Sequence, residues 1–123
     1  MNREDNAVLF KHSGCNCCQA VLLSYADKLG LDESTLRALG AGFGSGMGCL
    51  EGNCGALIGA VMADDLMNSR KGASEARNIL SAFRQSCGAI TCKELKGIET
   101  GKVLCSCDDC VRNAVRILEG NNN

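Results

Sequence analysis

The sequence predicts a small all-α protein, a bundle of five to six helices around a central buried helix. Three observations predict this class. Apolar residues recur at helical spacing, glycines follow the ends of these runs, and no segment shows the alternation of a strand. The chain lacks proline and any repeat of solenoid length, and 46% apolar residues suffice for one core. Residues 1–123 are therefore expected to form a single domain.

The first predicted helix begins after Asn16, a candidate N-cap, and ends before Gly30, a candidate C-cap glycine. Its apolar face consists of residues spaced at i, i+4, i+7 and i+11, namely Cys18, Leu22, Tyr25 and Leu29. A short second helix is predicted over Glu33–Leu39, with Asp32 as its N-cap and Gly40 at its end.

The third predicted helix runs from Asn53 to about Ser69. Its first half, Ala56–Ala63, is apolar nearly all round, which is typical of a helix that is covered on every side. We therefore expect this helix to be the central one, with the others packed around it.

Three more helices are predicted in the second half of the chain. The fourth starts at Ser74 as N-cap, and its apolar stripe ends at Cys87, just before Gly88, so that Cys87 should face the core. The fifth follows Thr91 and covers 92–96. The last begins at Cys107, its apolar face continues to Leu118, and Gly120 with three asparagines is expected to form a frayed tail.

Composition and charge exclude several partners. A net charge of −1 and only four aromatic residues provide no basic patch and no platform for base stacking, so we expect no nucleic-acid partner. The polar, acidic N-terminus predicts that no export signal is present, and the longest apolar run is too short to insert in a membrane. We therefore expect a cytoplasmic protein, in which structural disulfides are rare.

Ten cysteines are the most unusual feature of the chain, and they occur in four tight groups. One cysteine of each group follows a residue that can cap a helix: Cys17, Cys54, Cys92 and Cys107. A helix N-terminus stabilises a thiolate through its free N–H groups and its dipole, and the thiolate is both the metal ligand and the nucleophile. The pKa of Cys54 is therefore expected to be lowered. That of Cys87, at a helix C-terminus, is expected to be raised.

A glycine-rich stretch lies between the second and third predicted helices, around Cys49. The spacing of its glycines does not match a nucleotide-binding loop. The segment is then either a flexible connector or a loop that approaches the sulfur site closely. We expect Gly46 and Gly48, together with Gly55 beside Cys54, to allow this approach and to place backbone N–H groups against sulfur.

Cys54-Gly55-Ala56-Leu57-Ile58-Gly59 has the pattern CGAxxG and resembles the redox-active family named C_GCAxxG_C_C after its cysteine pattern. Two further segments, 16–22 (NCCQAVL) and 88–95 (GAITCKEL), are similar to the family's NCAQAVL and GSISCREL segments. Cys107 and the helix after it are similar to its terminal cysteine helix. The resemblance covers most of the chain and implies redox activity at cysteines.

By this resemblance the family cysteines are Cys17, Cys54, Cys92 and Cys107. Helical periodicity instead places Cys18 on the apolar face, so Cys18 is retained as an added ligand. The remaining cysteines create short Cys-x-x-Cys and four-residue spacings, which suit a cluster, a zinc ion or a dithiol couple. The full set of expected metal ligands is Cys17, Cys18, Cys49, Cys54, Cys87, Cys92, Cys107 and Cys110.

Three functions remain open. The first is an iron–sulfur protein that acts in electron transfer, with a [4Fe–4S] cluster bound by the family cysteines; the other six cysteines could supply a second cluster. The second is a thiol–disulfide oxidoreductase, in which Cys54 attacks and a nearby cysteine resolves; Cys54 and Cys92 are the expected catalytic residues. The third is a zinc-stabilised structural or interaction module. Whether the protein is an enzyme, which redox partner it meets and whether it forms a homodimer stay undecided.

Overall fold

The computed structural model describes residues 2–68 and 72–121, which fold into α-helices joined by short turns. Within these residues there are eight α-helices, and strand pairing is limited to one isolated bridge between Asn53 and Thr91. The predicted all-α class is confirmed. In chain order the helices are α1 (Arg3–His12), α2 (Cys17–Ser24), α3 (Ala26–Leu29), α4 (Glu33–Gly40), α5 (Gly55–Met67), α6 (Ala73–Cys87), α7 (Cys92–Lys96) and α8 (Cys107–Asn121).

Helix α5 is the central helix, as its apolar sequence predicted. It packs against α2, α3, α6 and α8, and its buried residues include Ala56, Leu57, Ala60 and Ala63. The helix begins at Gly55, with Cys54 at the N-cap position, two residues later than predicted. Its predicted end near Ser69 lies outside the described residues. Asp64 is also buried, and its side chain accepts a hydrogen bond from Asn68.

The predicted helix ends agree closely with the structure where they depend on local chemistry. The side chains of Asn16 and Asp32 accept hydrogen bonds from the N–H groups three residues later, as N-caps do. Gly30, Gly88 and Gly97 follow the ends of α3, α6 and α7 in the left-handed conformation, at φ values of 69°, 96° and 68°.

Four features differ from the prediction. Helix α1 is an additional helix, held to α8 by an ion pair of 2.8 Å between Glu4 and Arg116. The first predicted helix is broken at Tyr25, whose N–H bonds to the carbonyl of Leu22 three residues back. The N-cap of α6 is Gly72 rather than Ser74, which lies inside the helix. Helix α8 includes Gly120 and Asn121 of the predicted tail, and the last two asparagines lie outside the described residues.

The glycine-rich stretch begins at Gly40, which is the last residue of α4 rather than the residue after it, and residues 41–52 form a compact loop of tight turns before α5. It contains a 3-10 turn at Ala41–Phe43 and a π-type turn at Gly46–Leu50. Gly46 and Gly48 have φ values of 59° and 79°, as a backbone rich in glycine permits. In the described part of the chain, no helix combines the length and the apolar character needed to cross a membrane.

Candidate cysteine redox site

The starts of four helices meet around one cavity of about 200 Å³. Cys17, Cys92 and Cys107 are the first residues of α2, α7 and α8, and Cys54 is the N-cap of α5. All four line this cavity, which we call the four-cysteine cavity, and Cys15 and Cys105 also contribute to its wall. The four positions singled out in the sequence are therefore neighbours in the fold.

Backbone hydrogen bonds hold the starts of α5 and α7 side by side. The N–H of Cys54 donates to the carbonyl of Ile90 at 2.8 Å, and the N–H of Cys92 donates to the carbonyl of Gly52 at 3.0 Å. These bonds flank the isolated bridge between Asn53 and Thr91. The short pairing thus fixes two of the four cysteines relative to each other.

The start of α2 is fixed to the glycine-rich loop by Asn16. Its side chain accepts from the N–H of Gln19 at 2.8 Å, and its amide donates to the carbonyl of Gly40 at 3.0 Å. The N–H of Asn16 in turn donates to the side chain of Gln19 at 2.9 Å, which completes a capping box. One residue therefore caps the helix that carries Cys17 and anchors the adjacent loop.

Two contacts position the start of α8. The Ser106 hydroxyl accepts from the N–H of Asp109 at 3.1 Å, which caps the helix. Just before it, the N–H groups of Leu104 and Cys105 both donate to the carbonyl of Leu95 in α7, at 2.9 Å and 3.4 Å. The segment before Cys107 is thereby attached to the helix that carries Cys92.

Cys17 and Cys107 form a thiol pair within the cavity. The Cys17 thiol donates a hydrogen bond to the sulfur of Cys107, and this bond lowers the pKa of Cys107 to about 6. The charges of Lys96 and Lys11 act in the same direction. The same hydrogen bond, followed by burial, raises the pKa of Cys17 far above its ordinary range. This contact therefore favours the thiolate of Cys107 and the protonated thiol of Cys17.

Cys54 behaves as its position predicted, although its helix is not the main cause. Its pKa is lowered first by a hydrogen bond from the thiol of Cys110, and then by the N–H groups of Ala56 and Leu57 at the start of α5, against the opposing effect of burial. Burial raises the pKa of Cys92, and the nearby charge of Lys96 partly offsets that effect.

A second group of sulfurs lies beside the cavity. The Sγ atoms of Cys87, Cys105 and Cys110 all lie within 4.8 Å of one another, close enough to ligate one metal ion. We call this the three-cysteine cluster. The side-chain amide of Asn113 donates to the sulfurs of Cys87 at 3.3 Å and Cys105 at 3.8 Å. Because the thiol of Cys110 also contacts Cys54, the cluster and the cavity are joined through sulfur.

The expected rise in the pKa of Cys87 is wrong. Cys87 faces the core as predicted, but its pKa is lowered to about 6, first by a hydrogen bond from the Cys110 thiol and, after the opposing effect of burial, by the amide of Asn113. The helix C-terminus is therefore outweighed by specific donors. Burial raises the pKa of Cys105 to about 11. The sulfurs of Cys54 and Cys87 compete for the single proton of the Cys110 thiol, and these contacts, followed by burial, raise the pKa of Cys110. The Cys110 thiol also lies 3.8 Å from the carbonyl oxygen of Cys105, to which it donates.

The structure separates the other predicted ligands from the cavity. Cys18 is fully buried in the core, where burial raises its pKa to about 12. Helical periodicity thus identified Cys18 as a core residue, and the family resemblance identified its neighbour Cys17 as a residue of the cavity. Cys49 is exposed on the glycine-rich loop, and its thiol donates to the carbonyl of Gly46 at 3.6 Å. At this contact the loop presents a carbonyl to sulfur, where the sequence predicted N–H groups.

The three predicted glycines have different surroundings. A Cβ added to Gly46 would lie 2.7 Å from the Cβ of Cys92, so this glycine permits close approach to a cavity cysteine. Gly48 has no atom within 4 Å of such a Cβ. Gly55 lines the cavity and packs against α2, where its Cβ would lie 3.1 Å from the N of Cys18.

The predicted site omitted several residues of the cavity wall, among them Lys11, Cys15, Lys96 and Cys105. Lys96 follows Cys92 at a spacing of i+4, which places both on one helical face, so a signal for it was available. Lys11 belongs to α1, which was not predicted. Cys15 accepts a hydrogen bond from Arg37 at 3.1 Å, a contact between distant segments that no local pattern indicates.

The fold and the site define a small all-α protein with a multi-thiol centre built at helix starts. A family model described as "Putative redox-active protein (C_GCAxxG_C_C)" matches residues 15–120. The chain therefore belongs to the C_GCAxxG_C_C family, as its motifs predicted. Comparison with curated proteins and with solved structures gives no match.

Proposed function

We propose that the protein is an iron–sulfur redox protein in which Cys17, Cys54, Cys92 and Cys107 ligate one cluster in the four-cysteine cavity. The observation that carries this proposal is the convergence of four helix starts, each with a cysteine, on one cavity of about 200 Å³. Protein iron–sulfur clusters are bound mainly by four cysteine thiolates. When bound, the cluster would supply one-electron transfer.

The residues present fit such a group in number, type and charge. Four sulfurs come from four different helices, so a [4Fe–4S] cluster would receive one ligand for each iron. Lys11 and Lys96 line the same cavity and would offset the negative charge of the thiolates. The backbone bonds at Cys54 and Cys92, and the caps at Asn16 and Ser106, hold the four sulfurs in place.

The contact between Cys54 and Cys110 supports a second candidate, a thiol–disulfide oxidoreductase. Cys54 has a lowered pKa, and the thiol of Cys110 lies against its sulfur. The Cys54 thiolate would attack a substrate disulfide and release one substrate thiol. Cys110 would then attack Cys54, forming a disulfide within the protein and releasing the second thiol. The substrate gains two electrons from the two cysteines, one proton from the Cys110 thiol and one from solvent. Cys92 remains a further candidate nucleophile in the cavity.

Metal analysis of the full-length protein, purified without oxygen, tests the proposal. We expect about four irons and four sulfides per chain, and a loss of most of both in Cys17→Ser, Cys54→Ser, Cys92→Ser and Cys107→Ser. Cys49→Ser is the matched control, because its thiol is exposed and outside the cavity.

Protein without iron or sulfide, even after anaerobic reconstitution, would refute the cluster. A stoichiometric zinc ion in place of iron would instead indicate the zinc-stabilised module. A Cys54–Cys110 disulfide that forms on oxidation of metal-free protein and is reduced by a thiol substrate would favour the oxidoreductase.

A further inference from the structure

The three-cysteine cluster of Cys87, Cys105 and Cys110 combines ligands from three segments. Cys87 is the last residue of α6, Cys105 precedes α8, and Cys110 lies in the first turn of α8. Their sulfurs lie within 4.8 Å of one another, and the residues Cys87 and Cys110 are only 4% and 2% exposed. Three thiols gathered in this way offer a compact set of soft ligands.

The cluster is distinct from the four-cysteine cavity. None of the family cysteines belongs to it, and neither Cys87 nor Cys110 lines the cavity. Cys105 alone borders both. The contact of Cys110 with Cys54 joins the two groups of sulfur without merging their ligand sets.

A partner outside the ligand set supports a binding role. The amide of Asn113 donates to two of the three sulfurs, Cys87 and Cys105, in the way that outer groups orient and stabilise metal-bound thiolates. Asn113 lies one turn after Cys110 on α8, so the same helix supplies a ligand and its supporting donor.

We propose that Cys87, Cys105 and Cys110 form a mononuclear site for one thiophilic d10 metal ion, Cu(I) or Zn(II). With Cu(I) the site shares no ligand with the cluster proposed for the cavity, whereas a Zn(II) site completed by Cys54 would take one of that cluster's ligands. Thiolate ligands select these soft or borderline ions over Mg²⁺, Ca²⁺ and Mn²⁺. Three thiolate sulfurs complete the coordination of Cu(I). Structural Zn(II) is almost always four-coordinate, and Cys54, in contact with Cys110, is the thiol placed to become its fourth ligand.

The test is metal binding to full-length, reduced protein under anaerobic conditions, with a colorimetric chelator competing for Cu(I) or for Zn(II). We expect one ion per chain that resists the chelator. Because loss of an outer partner alone costs about 10- to 100-fold in affinity, we expect at least ~100-fold loss in Cys87→Ser and Cys110→Ser, and about 10-fold in Asn113→Ala.

Two controls keep the test specific. Cys92→Ser removes a cavity thiol outside the cluster, and Cys49→Ser removes an exposed one; both should keep the chelator-resistant ion. Circular dichroism identifies any variant that fails to fold. In wild-type protein the bound ion should protect Cys87, Cys105 and Cys110 from alkylation, as read by mass spectrometry, and leave Cys49 reactive.

The response of Cys54→Ser distinguishes the two ions. Unchanged Cu(I) binding supports the three-sulfur site, whereas Zn(II) binding that is lost in Cys54→Ser and in Cys87→Ser supports the four-sulfur form. The proposal is overturned if neither ion binds more tightly to wild-type protein than to Cys87→Ser. It is also overturned if Cys87→Ser loses iron and sulfide as Cys92→Ser does. Failure of the iron–sulfur proposal alone would leave these outcomes unaffected.

Discussion

Gly55→Ala tests how closely the start of α5 must approach its neighbours. Gly55 is the first residue of α5 and follows Cys54 directly. An added Cβ would lie 2.6 Å from the carbonyl oxygen of Phe43 and 3.1 Å from the backbone N of Cys18. Both are backbone atoms, which cannot rotate away, so the start of α5 would have to move.

The cost follows from these distances. Overpacking a close contact costs about 1–3 kcal/mol, and a contact of 2.6 Å with backbone belongs near the upper end. Alanine recovers at most ~1 kcal/mol of helix propensity. We therefore expect Gly55→Ala to lower the free energy of unfolding by roughly 2 kcal/mol, and the melting temperature by about 8 °C. Because Cys54 moves with the helix start, bound iron and sulfide should fall as well.

Chemical and thermal denaturation under reducing, anaerobic conditions measure the loss of stability, and metal analysis measures the loss of iron and sulfide. Gly120→Ala is the matched control, since an added Cβ on this helical glycine meets nothing within 4 Å and should not destabilise the protein. If Gly55→Ala is as stable as wild type and retains its iron, the close approach of α2 and α5 does not constrain the site.

Three other substitutions have defined outcomes. In metal-free protein, Cys17→Ala removes the donor to Cys107, so alkylation of Cys107 at pH 7 should slow by roughly tenfold or more, whereas Cys17→Ser keeps a donor and should stay near wild type. The hydrogen bond from Arg116 lowers the pKa of Glu4. The ionised carboxylate therefore stabilises the folded protein above the unfolded-state pKa of glutamate, and this stabilisation is lost as pH falls through the folded-state pKa. Glu4→Gln should thus be less stable than wild type at pH 7, and equal stability there would contradict this reasoning. Gly97→Ala, at φ 68° and against the backbone of the next turn, should cost about 2–4 kcal/mol in denaturation, and an unchanged stability would show that this turn relaxes freely.

The parts of the fold that sequence predicted are those that depend on short-range chemistry. Asn16 and Asp32 cap helices because each side chain reaches an N–H three residues away. Gly30 and Gly97 end helices because a left-handed residue is needed just past the end. Cys17 and Cys107 were identifiable for the same reason, because Asn16 and Ser106 cap their helices. Cys54 and Cys92 were also named correctly as helix-start residues, although Cys54 is itself the N-cap and the Thr91 side chain makes no capping hydrogen bond.

The parts that it missed depend on contacts between distant segments. Helix α1 has a mostly polar sequence, and it is bound to α8 by ion pairs between Glu4 and two arginines more than 100 residues away. The three-cysteine cluster exists because the end of α6 lies against the start of α8. No spacing within the sequence encodes that juxtaposition, so Cys105 was omitted from the expected ligands.

Hydrogen bonds between thiols affect the pKa values of these cysteines more than the helix dipole does. Cys17 and Cys107 both begin helices, yet the pKa of one is raised and that of the other is lowered, because one thiol donates to the other. Cys87 ends a helix and nevertheless has a lowered pKa, because Cys110 donates to it. The lowered pKa of Cys107 thus accompanies a raised pKa of Cys17, and the lowered pKa values of Cys54 and Cys87 accompany a raised pKa of their shared partner Cys110. Metal ligation requires thiolates, so an ion that binds to either group must displace the protons that Cys17 or Cys110 holds, and its affinity must rise with pH.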